Sequence, residues 1–535
     1  MELALALLIN LSAPPCGPHF LPAAGPQSGL AAAGMDVALH RTRWIQGREG
    51  GPGGMRTPWQ EGAYACQEWR PWGQVIAGAF HRQGQRRFTA NGTRSVPVSD
   101  RTGPLLAGRV HLPLGSRGSL QAAGATPGQA LAHRSVYATR SRSTYGADAP
   151  SSLTAGPGPR LTPSPTPELA PGSMPVLTPS ATVEPQSLRS GELQELAAIL
   201  ALGPLYLWGG RRAPGYGVGN SGGIILSGQV SLDGVGVGSR APGRLPGRAA
   251  GLGEWSFQML VGRMADNGEI GRPGFLAGRW VWAPIPSLEA GFNRGAFFGG
   301  DGAPGMTARR LVSLLFGAHH REDGRVVQMT NQTASFDFSF RHQVAGVPTL
   351  VYGELGFEDS SGAWKRSPAI ILGVEAAHPD RSFRLGLERS YFSRRNGHGH
   401  WYRHSFYRSG WSDRGQVLGH PLAGAGTEWL LHGVIHGGDE LGDGAGSSLQ
   451  VGLRTRERLA EHSFAPAQAG RSWGGQIHGT VPAVPGRELP VHLVVHAQGD
   501  WLTENGEPGQ EPGLQGTVSL GLQWTFGGGG PPATP

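Results

Sequence analysis

Cysteine is nearly absent from this chain, with Cys16 and Cys66 the only two in 535 residues. A disulfide framework or a cysteine-based zinc site is therefore unsupported. Lysine is scarcer still: Lys365 stands alone, so arginine carries the formal net charge of +8. A GC-rich genome would explain that bias without function, and the arginine excess is only a weak pointer to acidic polymers. Neither an RNA-binding signature nor paired Cys/His spacing occurs, so nucleic acid is not an expected partner. No run of roughly 18 or more apolar residues is present, which excludes a transmembrane helix on pattern. Strands tilted through a bilayer leave no such run and remain open. Convincing amphipathic helices are missing as well.

Glycine and proline, by contrast, are abundant, at 89 and 43 residues. That is too much for a helical protein, and the text between them is too patterned for disorder. The opening MELALALLINLSAPPC has a short apolar core, and Ala31, Ala32 and Ala33 offer small residues for cleavage, so 1–34 reads as a signal peptide or N-terminal targeting segment. Residues 35–145 contain strand-length pieces such as GQVIAGAFHR, RRFTANGTRSV, LLAGRVHLPL and RGSLQAAGAT. Residues 146–190 are Pro/Ser/Thr-rich and read as a loop or linker. From 191 to 526 runs the main strand-rich region, with 527–535 a flexible tail. At its start, GELQELAAILALGPLYLWGGRR suits a helix by propensity, but the Gly203-Pro204 break favours a hairpin.

Period-two alternation is clearest in the C-terminal half. Phe336, Phe338 and Phe340 alternate with Ser335, Asp337, Ser339 and Arg341; Leu385 and Leu387 alternate with Arg384 and Glu388. Leu449, Val451 and Leu453 repeat the pattern, as do Leu493 and Val495, and Val518 to Phe526 in the last strand. One face therefore meets an apolar medium and the other water. A soluble sandwich would alternate too. Three features favour a barrel: segments of about ten residues, the length a tilted spanning strand needs; no helical crossovers; and Trp280, Trp282, Trp401, Trp429, Trp501 and Trp524 near strand ends, where girdle aromatics belong. The expected fold is all-β, a large antiparallel up-and-down transmembrane barrel with long extracellular loops.

Several familiar chemistries can be weighed. GVGNSG at 217–222 fits a bare GxGxxG, but the dinucleotide fingerprint needs a helix next, and IILSGQVSL is strand-like. A tight glycine turn between barrel strands is the better reading. His398, His400 and His404 have even spacing, yet only Asp413 offers a nearby carboxylate, so neither a metal nor any cofactor is expected. No GxSxG elbow occurs. Arg263, Arg279, Arg294, Arg384, Arg403, Arg408 and Glu388 could line a lumen or rim, and because charge on the lipid face is costly most of them must face inward or sit at the rims.

The densest segment is 397–426, GHGHWYRHSFYRSGWSDRGQVLGHPLAGAG. Flat aromatics beside arginine and histidine donors suit sugars, through ring stacking and directional hydrogen bonds. An interfacial girdle beside a polar lumen would have the same composition. Candidate carbohydrate-binding residues are Trp401, Tyr402, Tyr407 and Trp411 for stacking, with His404, Arg408 and Arg414 as hydrogen-bond partners.

The wording of this segment resembles that of the Wzi family of outer-membrane capsule-assembly proteins. So, in the same order, do LWGGRRAPGYGVGNSGGIILS at 207–227, GRMADN at 262–267 and PSLEAGFNRGAFFGGDG at 286–302. The resemblance runs from about residue 200 onward. It implies a barrel of about eighteen strands in the cell outer membrane, with a non-enzymatic, lectin-like role: binding capsular or extracellular polysaccharide and helping attach it to the surface. Outer-membrane lipids and the barrel assembly machinery are then expected partners. An outer-membrane porin and a barrel hydrolase are the alternatives.

Overall fold

The computed structural model describes the strands between residues 72 and 125 and, apart from stretches within connections, residues 192–527. The expected targeting segment 1–34, the stretch 146–190 and the tail beyond Gly527 lie outside the described residues. The main sheet has nineteen strands, one of them the two-residue piece Gly243–Arg244. The other eighteen form the wall. They begin with β1 (Trp72–Gln83), β2 (Arg101–Pro113), β3 (Gly118–Ala125), β4 (Glu192–Leu202), β5 (Leu205–Arg212) and β6 (Leu232–Ser239). Next come β7 (Glu254–Arg263), β8 (Gly274–Ile285), β9 (Leu288–Phe298), β10 (Asn331–Val344), β11 (Val347–Glu358) and β12 (Ala369–Ala377). The series ends with β13 (Phe383–Phe392), β14 (Gly426–Gly437), β15 (Ser447–Arg458), β16 (Gly470–Pro482), β17 (Val491–Leu502) and β18 (Gly513–Gly527).

Each strand pairs antiparallel with its sequence neighbours, and β1 pairs with β18 from Trp72↔Gly527 to Gln83↔Gly516. The wall therefore closes without a free edge, as spanning hydrocarbon requires. The Gly203-Pro204 break does produce the β4–β5 hairpin. β3 pairs with β4, so residues 126–191 connect adjacent strands of the wall. RRFTANGTRSV supplies no wall strand; its ends make a short hairpin, Arg86–Phe88 with Ser95–Pro97, because Gly92 and its polar neighbours interrupt the run.

Alternation here is inside-out relative to a soluble protein. In β10, Phe336 is 54% exposed while Ser335 is fully buried, and Leu385 and Leu387 are exposed where Arg384 and Glu388 are buried. Apolar side chains point to lipid and polar ones point inward. Trp255 and Trp282, register partners on β7 and β8, stack at 5.4 Å near one edge of the apolar band. The medium decides the cost of a change: Leu387→Arg puts a charge on the lipid face and is expected to cost about 2–4 kcal/mol. Heat-modifiable mobility on a denaturing gel should report a smaller folded fraction; an unchanged fraction would put this face outside the hydrocarbon.

The two ends of the barrel differ. Short turns join strands at one end, as at Leu202–Leu205, Ile285–Leu288 and Val344–Val347. Ala345 and Gly346 both have positive φ, as a two-residue hairpin turn demands. Long connections leave the other end: 126–191, 213–231, 299–330 and 393–425. Outer-membrane barrels keep short turns on the periplasmic side, so the long connections belong outside.

Candidate functional site: a plug in the outer mouth

Two of the long connections turn back into the barrel. Asn220 donates through Nδ2 to Glu375 at 2.8 Å and to the Tyr352 hydroxyl at 2.7 Å. Both partners are buried mid-wall residues on the lumen face, so the tip of the 213–231 segment reaches deep inside. The wall receives it with carboxylates. Glu388 accepts from the Asn220 and Ser221 amides at 2.5 and 3.0 Å and from the Tyr352 hydroxyl at 2.9 Å. Glu354 accepts from the Ile224 amide at 3.2 Å and from Ser335 Oγ at 2.6 Å. A carboxylate oxygen that collects backbone N–H groups satisfies buried donors inside the barrel.

The glycine pattern of 217–222 has its reason here. Gly217 has φ of +122°, and a Cβ there would lie 2.2 Å from Glu354 Oε2; a Cβ on Gly223 would lie 1.6 Å from the Tyr216 carbonyl oxygen. The segment is not a turn between wall strands, as the sequence suggests. Only Leu226–Ser227 pairs locally, with Gly215–Tyr216, and the wall resumes at Leu232. Ile224 and Ile225 are fully buried within the plug.

The second segment, within 393–425, closes over the first. Tyr402 donates its hydroxyl to the Ile224 carbonyl at 2.7 Å, accepts from the His420 amide at 3.0 Å, and gives its own amide to Glu358 at 2.6 Å. Those three bonds hold it at φ +66°, a conformation L-residues with a side chain rarely adopt. Trp411 donates Nε1–H to the Ile225 carbonyl at 2.8 Å and packs edge-on against Phe275 and Phe297. Trp401 packs edge-on to Phe392, and Tyr407 stacks on Phe297 while donating to the Gly299 carbonyl. Ser412–Asp413 pairs with Gln416–Val417 in a small hairpin. His420 Nδ1 accepts from the Leu422 amide at 3.1 Å. Burial pushes this imidazole down to about 4, Glu428 opposing and Arg456 and Arg458 reinforcing the fall, so it is neutral at physiological pH.

The sequence-predicted residues divide sharply. Trp401, Tyr402, Tyr407 and Trp411 come together, yet all are at most 1% exposed. A fully buried ring offers no face to a sugar, so in this conformation the four form the plug's core and are not stacking platforms. Trp401 likewise leaves the expected girdle. His404, Arg408 and Arg414 lie outside the described residues, as do His398, His400 and Arg403. Of the charges assigned to lumen or rim, Arg279, Arg384 and Glu388 face inward, Arg279 pairing with Asp337 at 2.6 Å. Arg263 and Arg294 share the outward face near the long-connection end. Sequence reasoning missed Glu354, Glu358 and Glu375. Their signal was available: each is a carboxylate at an inward position of a period-two strand, and such a charge needs a partner across the lumen.

The plug shares one buried cluster with wall residues from Ile199 on β4 to Phe392 on β13, and on β15 Arg458 donates to the Pro421 carbonyl at 3.3 Å. The mouth at the long-connection end is thus filled along that sector by side chains of the chain itself.

Comparison with known proteins agrees with this architecture. The family described as capsule assembly protein Wzi matches residues 176–442. An uncharacterised 55.8 kDa protein in the cps region of Klebsiella pneumoniae is 30% identical over 129 residues, 24% of this chain and 25% of that protein, so the chain spans about a quarter of that curated relative. The structure of Escherichia coli Wzi, an outer membrane protein involved in group 1 capsule assembly and a carbohydrate-binding β-barrel, aligns with a TM-score of 0.55. Identity is 16%, over 85% of this chain and 84% of that one, a likeness of fold. With the family match covering about half of the chain on a closed eighteen-stranded wall, the chain belongs to the Wzi family of capsule assembly proteins of the outer membrane.

Proposed function

We propose that this barrel is an attachment point and not a passage: at its long-connection end it binds capsular or extracellular polysaccharide and helps hold it on the cell surface. The observation that carries the reading is the plug. Two inward-folded connections fill the outer mouth against the wall from β4 to β15, bonded by Glu354, Glu358 and Glu388. A porin would leave that cross-section to water. The buried aromatics then act as a frame. Close in sequence to Tyr402, Tyr407 and Asp413 stand His404, Arg408 and Arg414, whose donors suit hydroxyl and uronate oxygens. Many weak contacts along a repeating polymer add by multivalency. The reading is non-enzymatic. The apolar outer face takes outer-membrane lipid, and the amphipathic last strand, ending in Trp524 and Phe526, is the part offered to the barrel assembly machinery.

Deleting the gene and measuring cell-bound against shed polysaccharide tests this directly. Total polymer should stay constant while its balance moves to the medium. Unchanged fractions would remove the tethering role.

A further inference from the structure

Among the described residues, the arginines on the lipid-facing side of this barrel lie at one end. From β4 to β17, the arginines sharing a face with the exposed apolar side chains are Arg211, Arg263, Arg294, Arg389 and Arg471, each in the half of its strand next to the long connections. Register places them in rows. Arg211, Asp233 and Arg263 are cross-strand partners on β5, β6 and β7. Arg389, Trp429, Thr455, Trp473 and Trp501 are partners from β13 to β17, and the next row outward holds Glu457 and Arg471. Below them lie the wholly apolar rows of Leu387, Leu431 and Leu453, and then Leu385, Val451 and Ile477. The cations therefore stand where hydrocarbon ends and headgroups begin.

They are not equally committed. Arg211 makes a bidentate pair with Asp233, and Arg294 donates to the Leu314 carbonyl and to Gln332, beneath a connection packed on Leu276 and Ala296. Arg389 is exposed, its guanidinium 5.2 Å from the Trp429 ring centroid, and Arg263 is exposed at the end of β7. Against five cations, this belt carries two outward acids, Asp233 and Glu457. We propose that the belt binds phosphate-bearing lipid headgroups of the leaflet on the long-connection side, with Arg389 on Trp429 as its principal site. Stacked on the indole, the guanidinium keeps its N–H edge free for phosphate oxygens, while Trp429, Trp473 and Trp501 seat the glycerol and upper acyl region. A cation near a charged surface contributes roughly fivefold in binding.

The test is native mass spectrometry of the purified full-length barrel in mild detergent, offered equal phosphatidylglycerol and phosphatidylcholine. The wild type should retain phosphatidylglycerol preferentially. Arg389→Gln should reduce that preference by about fivefold, Arg263→Gln/Arg389→Gln/Arg471→Gln should bring it near parity, and Arg389→Lys should keep most of it. Arg244→Gln, at the opposite end beside Glu254, is the control and should change nothing. Heat-modifiable mobility verifies that each variant is folded, and Arg389→Gln alone decides if the triple variant is not. Equal uptake of both lipids by the wild type, or a preference that survives Arg389→Gln, overturns the proposal and leaves a girdle that holds any lipid.

Discussion

Replacing Trp411 by alanine is expected to unseat the plug and to add bursts of conductance that the wild-type barrel lacks. The indole is fully buried between Phe275 and Phe297, with ring centroids at 5.4 and 5.1 Å, and its N–H satisfies the Ile225 carbonyl. Truncation removes the ring, leaves a cavity and strands that carbonyl, a loss of about 3–5 kcal/mol for a buried tryptophan. The wall keeps its own hydrogen bonds, so the loss falls on the plug and the barrel should still assemble. Trp411→Phe retains most of the packing and gives up the hydrogen bond, about 1 kcal/mol. Gly295→Ala attacks the same contact from the wall, because its Cβ would stand 2.6 Å from the indole. Planar-bilayer conductance and limited proteolysis within 401–425 provide the measurements. An alanine variant as quiet and as protease-resistant as the wild type would mean that this segment does not close the mouth.

The sequence carried the wall better than the plug, for a physical reason. A strand between lipid and lumen obeys a strict two-residue rule, so Phe336, Phe338 and Phe340 on one face, with Ser335 and Asp337 on the other, could be read directly. Strand ends followed from turn chemistry, as at Gly203-Pro204. The plug obeys no period. Ile224 and Ile225 look like the start of a strand because they are β-branched and apolar, but they pack on Trp411 and Tyr402 from a distant part of the chain. The dense aromatic segment stands out by composition, yet residue type cannot distinguish a ring that stacks on a sugar from one that stacks on Phe297. Only the burial of all four rings separates those roles. The wall carboxylates were legible as inward charges, whereas the backbone amides they receive, at Asn220, Ser221 and Ile224 of one loop and Tyr402 of another, have no side-chain signature.

Glu388 should prove the most consequential of those carboxylates. It accepts from two plug amides and the Tyr352 hydroxyl, and Asn220 is itself bonded to Tyr352 and Glu375. Glu388→Ala leaves three buried donors without their acceptor, at about 1–3 kcal/mol each where the loop cannot shift to water. Glu388→Gln keeps the shape and one acceptor oxygen but loses the charge, so its effect should fall between wild type and alanine. Hydrogen exchange in a fragment spanning 213–227 is the measurement: protection at Asn220 and Ser221 should drop in the order glutamate, glutamine, alanine. Unchanged exchange would show that the wall does not hold the loop. Combining Glu388→Ala with Trp411→Ala extends the argument. Asn220 and Ile225 belong to one short segment, fastened at its tip by Glu388 and at its base by Trp411. Once either fastening is lost, the other has less ordered structure to hold. The double variant should therefore lose less protection than the two single losses added together. Strict additivity would mean that the two fastenings act on separate units and that the mouth is closed in two independent layers.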